Sequence, residues 1–240
     1  CGADMLADSR LENLAAIQQA GINLPLMLLR IPTPSRVDEV VNLADISLVS
    51  DTGTVGLLSK AAEIAGRKHK VILMIDLGDL REGIWPDRLI ESLRTVIDLP
   101  AIEVSGLGTN LACYGGVIPD TQKMQQLINL RDEAERIFGI KLPVLCGGNS
   151  ANLPLLLAGG IPSQINLLRI GETILLMKRQ GVINHHARTP FAWSLRSLNW
   201  NASLPYRSDS AVRMLLEVYP NLWIAVCVSA PSATSAGRMW

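Results

Sequence analysis

The chain has 240 residues, 48% of them hydrophobic and 18% charged, and its 22 basic and 22 acidic side chains cancel to a formal net charge of +0. Such a composition supports one sizeable core or two modest ones, is too apolar for a disordered chain, and lacks the basic surplus or stripe of a nucleic-acid binder. No apolar run approaches the roughly 18 residues of a membrane span. Four cysteines (Cys1, Cys113, Cys146, Cys227) without a CxxC pair argue against a zinc knuckle or dense disulfide framework and for reduced thiols in the cytoplasm.

The chain opens on Cys rather than Met, with no charged-then-apolar leader. Residues 1–7 read as the interior of a domain, and the expectation is a fragment whose true start lies upstream. Strands are expected at 5–7, 26–31, 46–49, 71–75, 102–105, 144–146 and 167–170, and helical stretches at 10–20, 36–44, 55–65, 86–97, 121–138 and 153–158. This alternation implies parallel strands joined by crossover helices. Runs such as Leu-Met-Leu-Leu (26–29) and Val-Ile-Leu-Met-Ile (71–75) are apolar throughout, as strands covered on both faces are. Periodicity alone permits either an open doubly wound sheet or a closed eight-stranded barrel. Polar or glycine-bearing residues follow the strands at 8–10, 76–79, 106–110, 147–150 and 171–173, the C-terminal ends where parallel α/β folds build their sites. No GxGxxG follows the first strand and no GxxxxGK(S/T) occurs, which lowers the case for a dinucleotide fold or a P-loop. Polar ends spread over many strands favour a barrel, in which every strand can feed one mouth.

In chain order, His69 precedes a strand and reads as a surface residue. Asp76, Asp79, Arg81 and Glu82 crowd one loop and read as a solvated charge cluster or as part of a mouth. Asn110, Cys113 and Tyr114 follow the fifth strand; a lone Cys is more often buried filler than a nucleophile. Gly147-Gly148-Asn149-Ser150 precedes a helix, and Arg169-Ile170-Gly171-Glu172 ends the last strand. With one strand missing at the front, these become strands seven and eight, whose loops often form a phosphate site in (β/α)8 barrels. Glycines let backbone N–H groups approach an anion, a Ser hydroxyl adds a donor, and a helix start supplies partial positive charge. The bland alternative is that the glycines only make turns. Arg169 needs an acceptor, since burying its charge unpaired is costly: a carboxylate, a phosphate, a heteroaromatic nitrogen, or simply a structural partner. Beyond residue 178 the rhythm fails. No lysine follows Lys178, and four of the five tryptophans (Trp193, Trp200, Trp223, Trp240) fall there.

The stretches MLADSRLENL, LMLLRIP, HKVILMIDLGDLREGIWP, GLGTNLACYGGVIP, CGGNS followed by LPLLL, and INLLRIGETILL together resemble the pyridoxal-phosphate-dependent alanine racemase N-terminal domain family, most of all its alanine/ornithine racemase branch. The resemblance covers residues 1–177. It implies a (β/α)8 TIM-type barrel, here lacking its first strand, with pyridoxal 5′-phosphate at the mouth, and an amino-acid racemase whose small-molecule amino-acid substrate is, by the branch alone, ornithine-like. A mostly β second domain and a homodimer are implied for the full-length parent, with no nucleic-acid or membrane partner. By the family pattern, Ser150 and the backbone N–H groups of Gly171 and Glu172 would bind the cofactor phosphate. Arg169 would face the pyridine nitrogen and keep it unprotonated, favouring proton exchange. Arg81 would lie near the phenolic oxygen and the substrate side. Asn110 falls where alanine racemases carry a His packed near the ring, and Asn149 would line the same pocket.

Two departures stand out. The family's Schiff-base lysine ends the first barrel strand, and none of Lys60, Lys68, Lys70, Lys123 or Lys141 fits that place, so the fragment itself is expected to be inactive. Residues 178–240 do not resemble the family's β domain and are expected to be an irregular tail, with a reading-frame slip near residues 184–188 as one explanation. A barrel without its first strand should also leave two open, aggregation-prone edges. The alternative function is a non-catalytic pyridoxal-phosphate carrier with a single barrel.

Overall fold

The computed structural model describes residues 4–113 and 115–171 and the backbone of 225–229. Seven strands run parallel in sequence order: β1 (Met5–Asp8), β2 (Leu26–Leu28), β3 (Ile46–Val49), β4 (His69–Ile75), β5 (Ile102–Thr109), β6 (Val144–Cys146) and β7 (Leu167–Ile170). Helices α1 (Leu11–Gln19), α2 (Val37–Leu43), α3 (Thr52–Ile64), α4 (Leu89–Val96), α5 (Thr121–Phe138) and α6 (Leu153–Leu157) alternate with them. This is the expected TIM-type barrel. No helix of the described residues is long and apolar enough to cross a membrane. Glu172 and Tyr114 lie outside the described residues, as does residues 178–240 apart from 225–229.

The apolar runs sort by the two-residue period of a strand. On β4, Ile72 and Met74 point into the barrel beside Ala7, Met27, Ile46, Leu48, Cys146 and Leu167. Val71, Leu73 and Ile75 point outward into the larger core beneath the helices. Helix starts follow their caps: Asp51 accepts from Thr54 N–H at 3.0 Å and opens α3, and Asp120 accepts from Lys123 N–H at 2.7 Å and opens α5. Each such cap is worth about 1 kcal/mol. Helix α5 stops at Gly139, whose φ of 64° is left-handed.

Three departures from the expected elements have local causes. The stretch 106–109, expected as loop, continues β5 to Thr109. Its glycines are needed there: a Cβ on Gly106 would overlap Val144 O of β6, and one on Gly108 would press Met74 Sδ at 3.0 Å. Strand β4 begins two residues early, at His69, which is fully buried rather than on the surface. Its Nε2 lies 2.9 Å from Ser47 Oγ of β3, and its Nδ1 is buried without a partner.

Finally, the barrel is closed by an eighth strand, β8 (Ala225–Ser229), antiparallel to both β7 and β1. The two edges expected to be open are both paired.

Burial of His69 penalises its charged form and pushes its pKa down from 6.5 to about 4, with Arg67 acting in the same direction. Above pH 6.5 the neutral ring is carried at no protonation cost. Between pH 6.5 and 4 the unfolded chain takes up a proton that the folded one refuses. Stability is therefore expected to fall across that window, by about 3 kcal/mol in all. Urea midpoints measured from pH 7 to 4 check this: the slope should flatten in His69→Gln, and an equally steep slope in that variant would remove His69 as the cause.

Candidate active site

The C-terminal ends of β5, β6 and β7 carry two hydrogen-bonded sets of polar groups. Arg169 follows the inward-facing Leu167 by two positions and is 7% exposed. Its Nη2 donates to Thr109 O at 2.9 Å and Asn110 Oδ1 at 3.3 Å, and its Nε donates to Cys146 Sγ at 3.2 Å. These acceptors hold the guanidinium in place. Asn110 Oδ1 also accepts from Asn149 Nδ2 at 3.2 Å, and Asn110 Nδ2 donates to Glu82 Oε1 at 3.4 Å. Asn149 is fixed further by donating to Leu111 O (3.0 Å) and accepting from Ala151 N–H (2.9 Å).

The two final loops meet directly. Gly171 N–H donates to Ser150 Oγ at 3.3 Å, and Ser150 is 4% exposed. At that length the bond is weak. The glycines before Ser150 are more than turn formers. Gly148 has φ +123°, and a Cβ there would stand 2.8 Å from Asn152 Nδ2; one on Gly147 would stand 2.7 Å from Ile165 Cγ2. Asn152 is fully buried and donates to Gly147 O at 2.9 Å. It braces the loop from behind. Sequence reasoning missed it, although an Asn two residues after a Gly-rich loop was the available signal. Cys146, which steadies Arg169, and Ser50 were missed as well. Ser50 follows the inward-facing Leu48 by two positions, and its hydroxyl is buried without a partner.

The Arg81 loop departs from the solvated cluster that its composition suggested. Asp76 and Asp79 are 7% and 2% exposed. Asp76 Oδ1 accepts from the N–H groups of Gly78 (2.8 Å) and Leu80 (3.2 Å). Asp79 Oδ1 accepts from Cys113 N–H and Gly115 N–H, both at 3.1 Å, and so latches this loop to the one after β5. Arg81 itself is exposed, with Nη1 against Cys113 Sγ. The structure thus joins Asn110, Asn149 and Arg169 in one hydrogen-bonded group, linked through Glu82 to the loop that carries Arg81, and pairs Ser150 with Gly171 in a second. Asp8 serves the frame: it accepts from Arg10 N–H (2.7 Å) and Asn13 Nδ2 (3.0 Å), and burial raises its pKa. None of the described lysines ends a strand at the mouth; Lys70 sits at the opposite end of β4, and Lys60 and Lys123 lie on helices.

A buried arginine on β7, with the Gly171 N–H two residues further along the chain and the Ser150 hydroxyl bonded to that N–H, suits an anionic ligand bearing an acceptor-rich ring. The family model described as alanine racemase, N-terminal domain, matches residues 1–178. The ornithine racemase of Acetoanaerobium sticklandii is 42% identical over 174 residues, covering 72% of this chain and 49% of that protein. The lysine racemase of Thermotoga maritima is 38% identical over 175 residues, covering 73% and 49%. The chain therefore spans about half the length of the curated relatives it matches. Among solved structures, PipY of Synechococcus elongatus with PLP bound has a TM-score of 0.55 at 20% identity, covering 65% of this chain and 75% of that one; it supports the fold.

Proposed function

The chain belongs to the alanine racemase N-terminal domain family, and on that premise we propose that its mouth binds pyridoxal 5′-phosphate and that the whole protein is an amino-acid racemase acting on a small basic amino acid. The observation that carries the cofactor reading is the meeting of Ser150 Oγ and Gly171 N–H beside the buried Arg169. The relatives named ornithine and lysine racemase support the substrate class.

These residues fit the group. Ser150 O–H and Gly171 N–H donate to its phosphate, with Glu172 N–H as a third donor by the family pattern. Glycine at 147 and 148 keeps the backbone close enough for this, and Asn152 prevents the loop from relaxing. Arg169 has donors only and stays protonated, so it holds a facing ring nitrogen as an acceptor. Asn110 and Asn149 line the pocket and keep Arg169 aimed. Arg81 stands on the substrate side, its loop registered by Asp79. When bound, the cofactor supplies the electron withdrawal that loosens the substrate's α-proton. The protein's share in this half of the molecule is binding, orientation and the charge state of the ring.

Titration of the chain with pyridoxal 5′-phosphate, followed by absorbance, tests the reading. Ser150→Ala should weaken binding by roughly ten-fold, the worth of one hydrogen bond to a charged acceptor. An unchanged affinity would place the phosphate elsewhere. For the whole protein, interconversion of D- and L-ornithine or D- and L-lysine is the expected activity. Firm cofactor binding without turnover of any amino acid would favour the carrier.

A further inference from the structure

Among the described residues, the buried polar side-chain atoms without a hydrogen-bond partner are Ser50 Oγ, Ser59 Oγ, His69 Nδ1 and Asn152 Oδ1. Three of them belong to the frame, on helix α3, at the foot of β4 and behind the Gly147 loop. Ser50 alone of the four stands at the mouth. It follows β3 directly, two positions beyond the inward-facing Leu48. The chain is still extended at Asp51 (φ −138°, ψ 143°), whose side chain caps α3. Alternation along an extended chain therefore aims Ser50 into the barrel. A covered hydroxyl without a partner costs free energy that a methyl group in its place would not. A ligand that supplies the partner removes that cost. Ser50 as a whole is only partly buried, so a turn about its Cα–Cβ bond suffices to bring the hydroxyl to a ligand in the mouth.

In the closed order of eight strands, β3 and β7 lie four places apart in either direction. Ser50 and Arg169 therefore stand on opposite walls, both at C-terminal strand ends. Arg169, on the function proposed above, faces the pyridine nitrogen. In pyridoxal 5′-phosphate the carbon that bears the aldehyde is para to that nitrogen. A ring held by its nitrogen on the β7 wall thus turns its aldehyde carbon toward the β3 wall. Resting on that cofactor assignment, we propose that Ser50 is a further ligand-binding residue, whose hydroxyl donates to the aldehyde oxygen. The same carbon is the one that receives an amino group in this cofactor's chemistry. Ser50 then serves the reacting edge of the ring and Arg169 the far edge.

Calorimetric titration of the full chain with two probes tests this. One is pyridoxal 5′-phosphate. The other is 4-deoxypyridoxine 5′-phosphate, which carries a methyl group in place of the aldehyde and keeps the nitrogen, the phenol and the phosphate. Ser50→Ala should weaken the first about five- to ten-fold, the worth of one hydrogen bond, and leave the second within about two-fold. The urea midpoint of the ligand-free variant should be no lower than that of the parent, because the lost hydroxyl had no protein partner. Undiminished affinity for pyridoxal 5′-phosphate, equal weakening of both probes, or a lowered midpoint would each overturn the proposal. Ser150→Ala tells its failure from failure of the cofactor assignment. Both probes carry the phosphate, so that variant should weaken both alike. If Ser150→Ala weakens both and Ser50→Ala neither, the cofactor stays and Ser50 leaves the site; if neither variant weakens either probe, both assignments fall.

Discussion

Replacing Arg169 with leucine is expected to abolish measurable binding of pyridoxal 5′-phosphate and to weaken the barrel at the same time. The substitution removes the donor for Thr109 O and Asn110 Oδ1, two acceptors buried at the mouth. Thr109 O is left without that donor, while Asn110 Oδ1 keeps Asn149 Nδ2, and the loss costs about 1–3 kcal/mol of stability. The loss of the one described cation inside this network should lower cofactor affinity by two orders of magnitude or so. Arg169→Lys separates the two effects. It keeps a charge but not the fork that spans Thr109, Asn110 and Cys146, so stability should recover more than affinity does. Urea unfolding and an absorbance titration on the three proteins read both quantities. Undiminished affinity in the leucine variant would remove Arg169 from the site.

The second large effect lies in the scaffold. A methyl group added at Gly106 would overlap the carbonyl oxygen of Val144 on the neighbouring strand. That obstacle is backbone within a ladder, where Gly106 pairs with Val144, so no side chain can turn aside to make room. Gly106→Ala is expected to destabilise by about 4 kcal/mol or more, enough to leave much of the chain unfolded at 37 °C. Gly116→Ala offers the contrast: a Cβ there meets nothing within 4 Å, and only its φ of 69° resists, so about 1 kcal/mol is expected. Denaturant midpoints of the two variants compare them directly, and equal midpoints would mean that β5 and β6 can part without cost.

How far the sequence could be read depended on the range of the interaction. Continuous apolar runs located all seven parallel strands, because burial on both faces leaves a local mark. The caps Asp51 and Asp120 act within one turn of chain, and overlooking Asp51 put the expected start of α3 at 55 rather than at Thr52. The loops holding Ser150 and Gly171 were placed side by side by counting strands. What escaped was decided by partners far along the chain. Gly106 and Gly108 look like loop residues until β6 is laid against them. Asp79 looks solvated until the amides of Cys113 and Gly115 claim it. His69 looks exposed until Ser47 is its neighbour. No periodicity marks β8, since what selects it is a vacancy between two other strands.

The position of His69 on β4 has one more consequence. That residue begins the strand whose far end, Ile75, leads into the loop of Arg81, so the acid-sensitive ring sits at the floor of the barrel while the donors proposed to hold the phosphate crown its top. Six residue steps at about 3.3 Å each put some 20 Å between them. Mild acidification therefore undermines the foundation without reaching the ligand's own contacts, and the cofactor should depart only when the whole cylinder gives way.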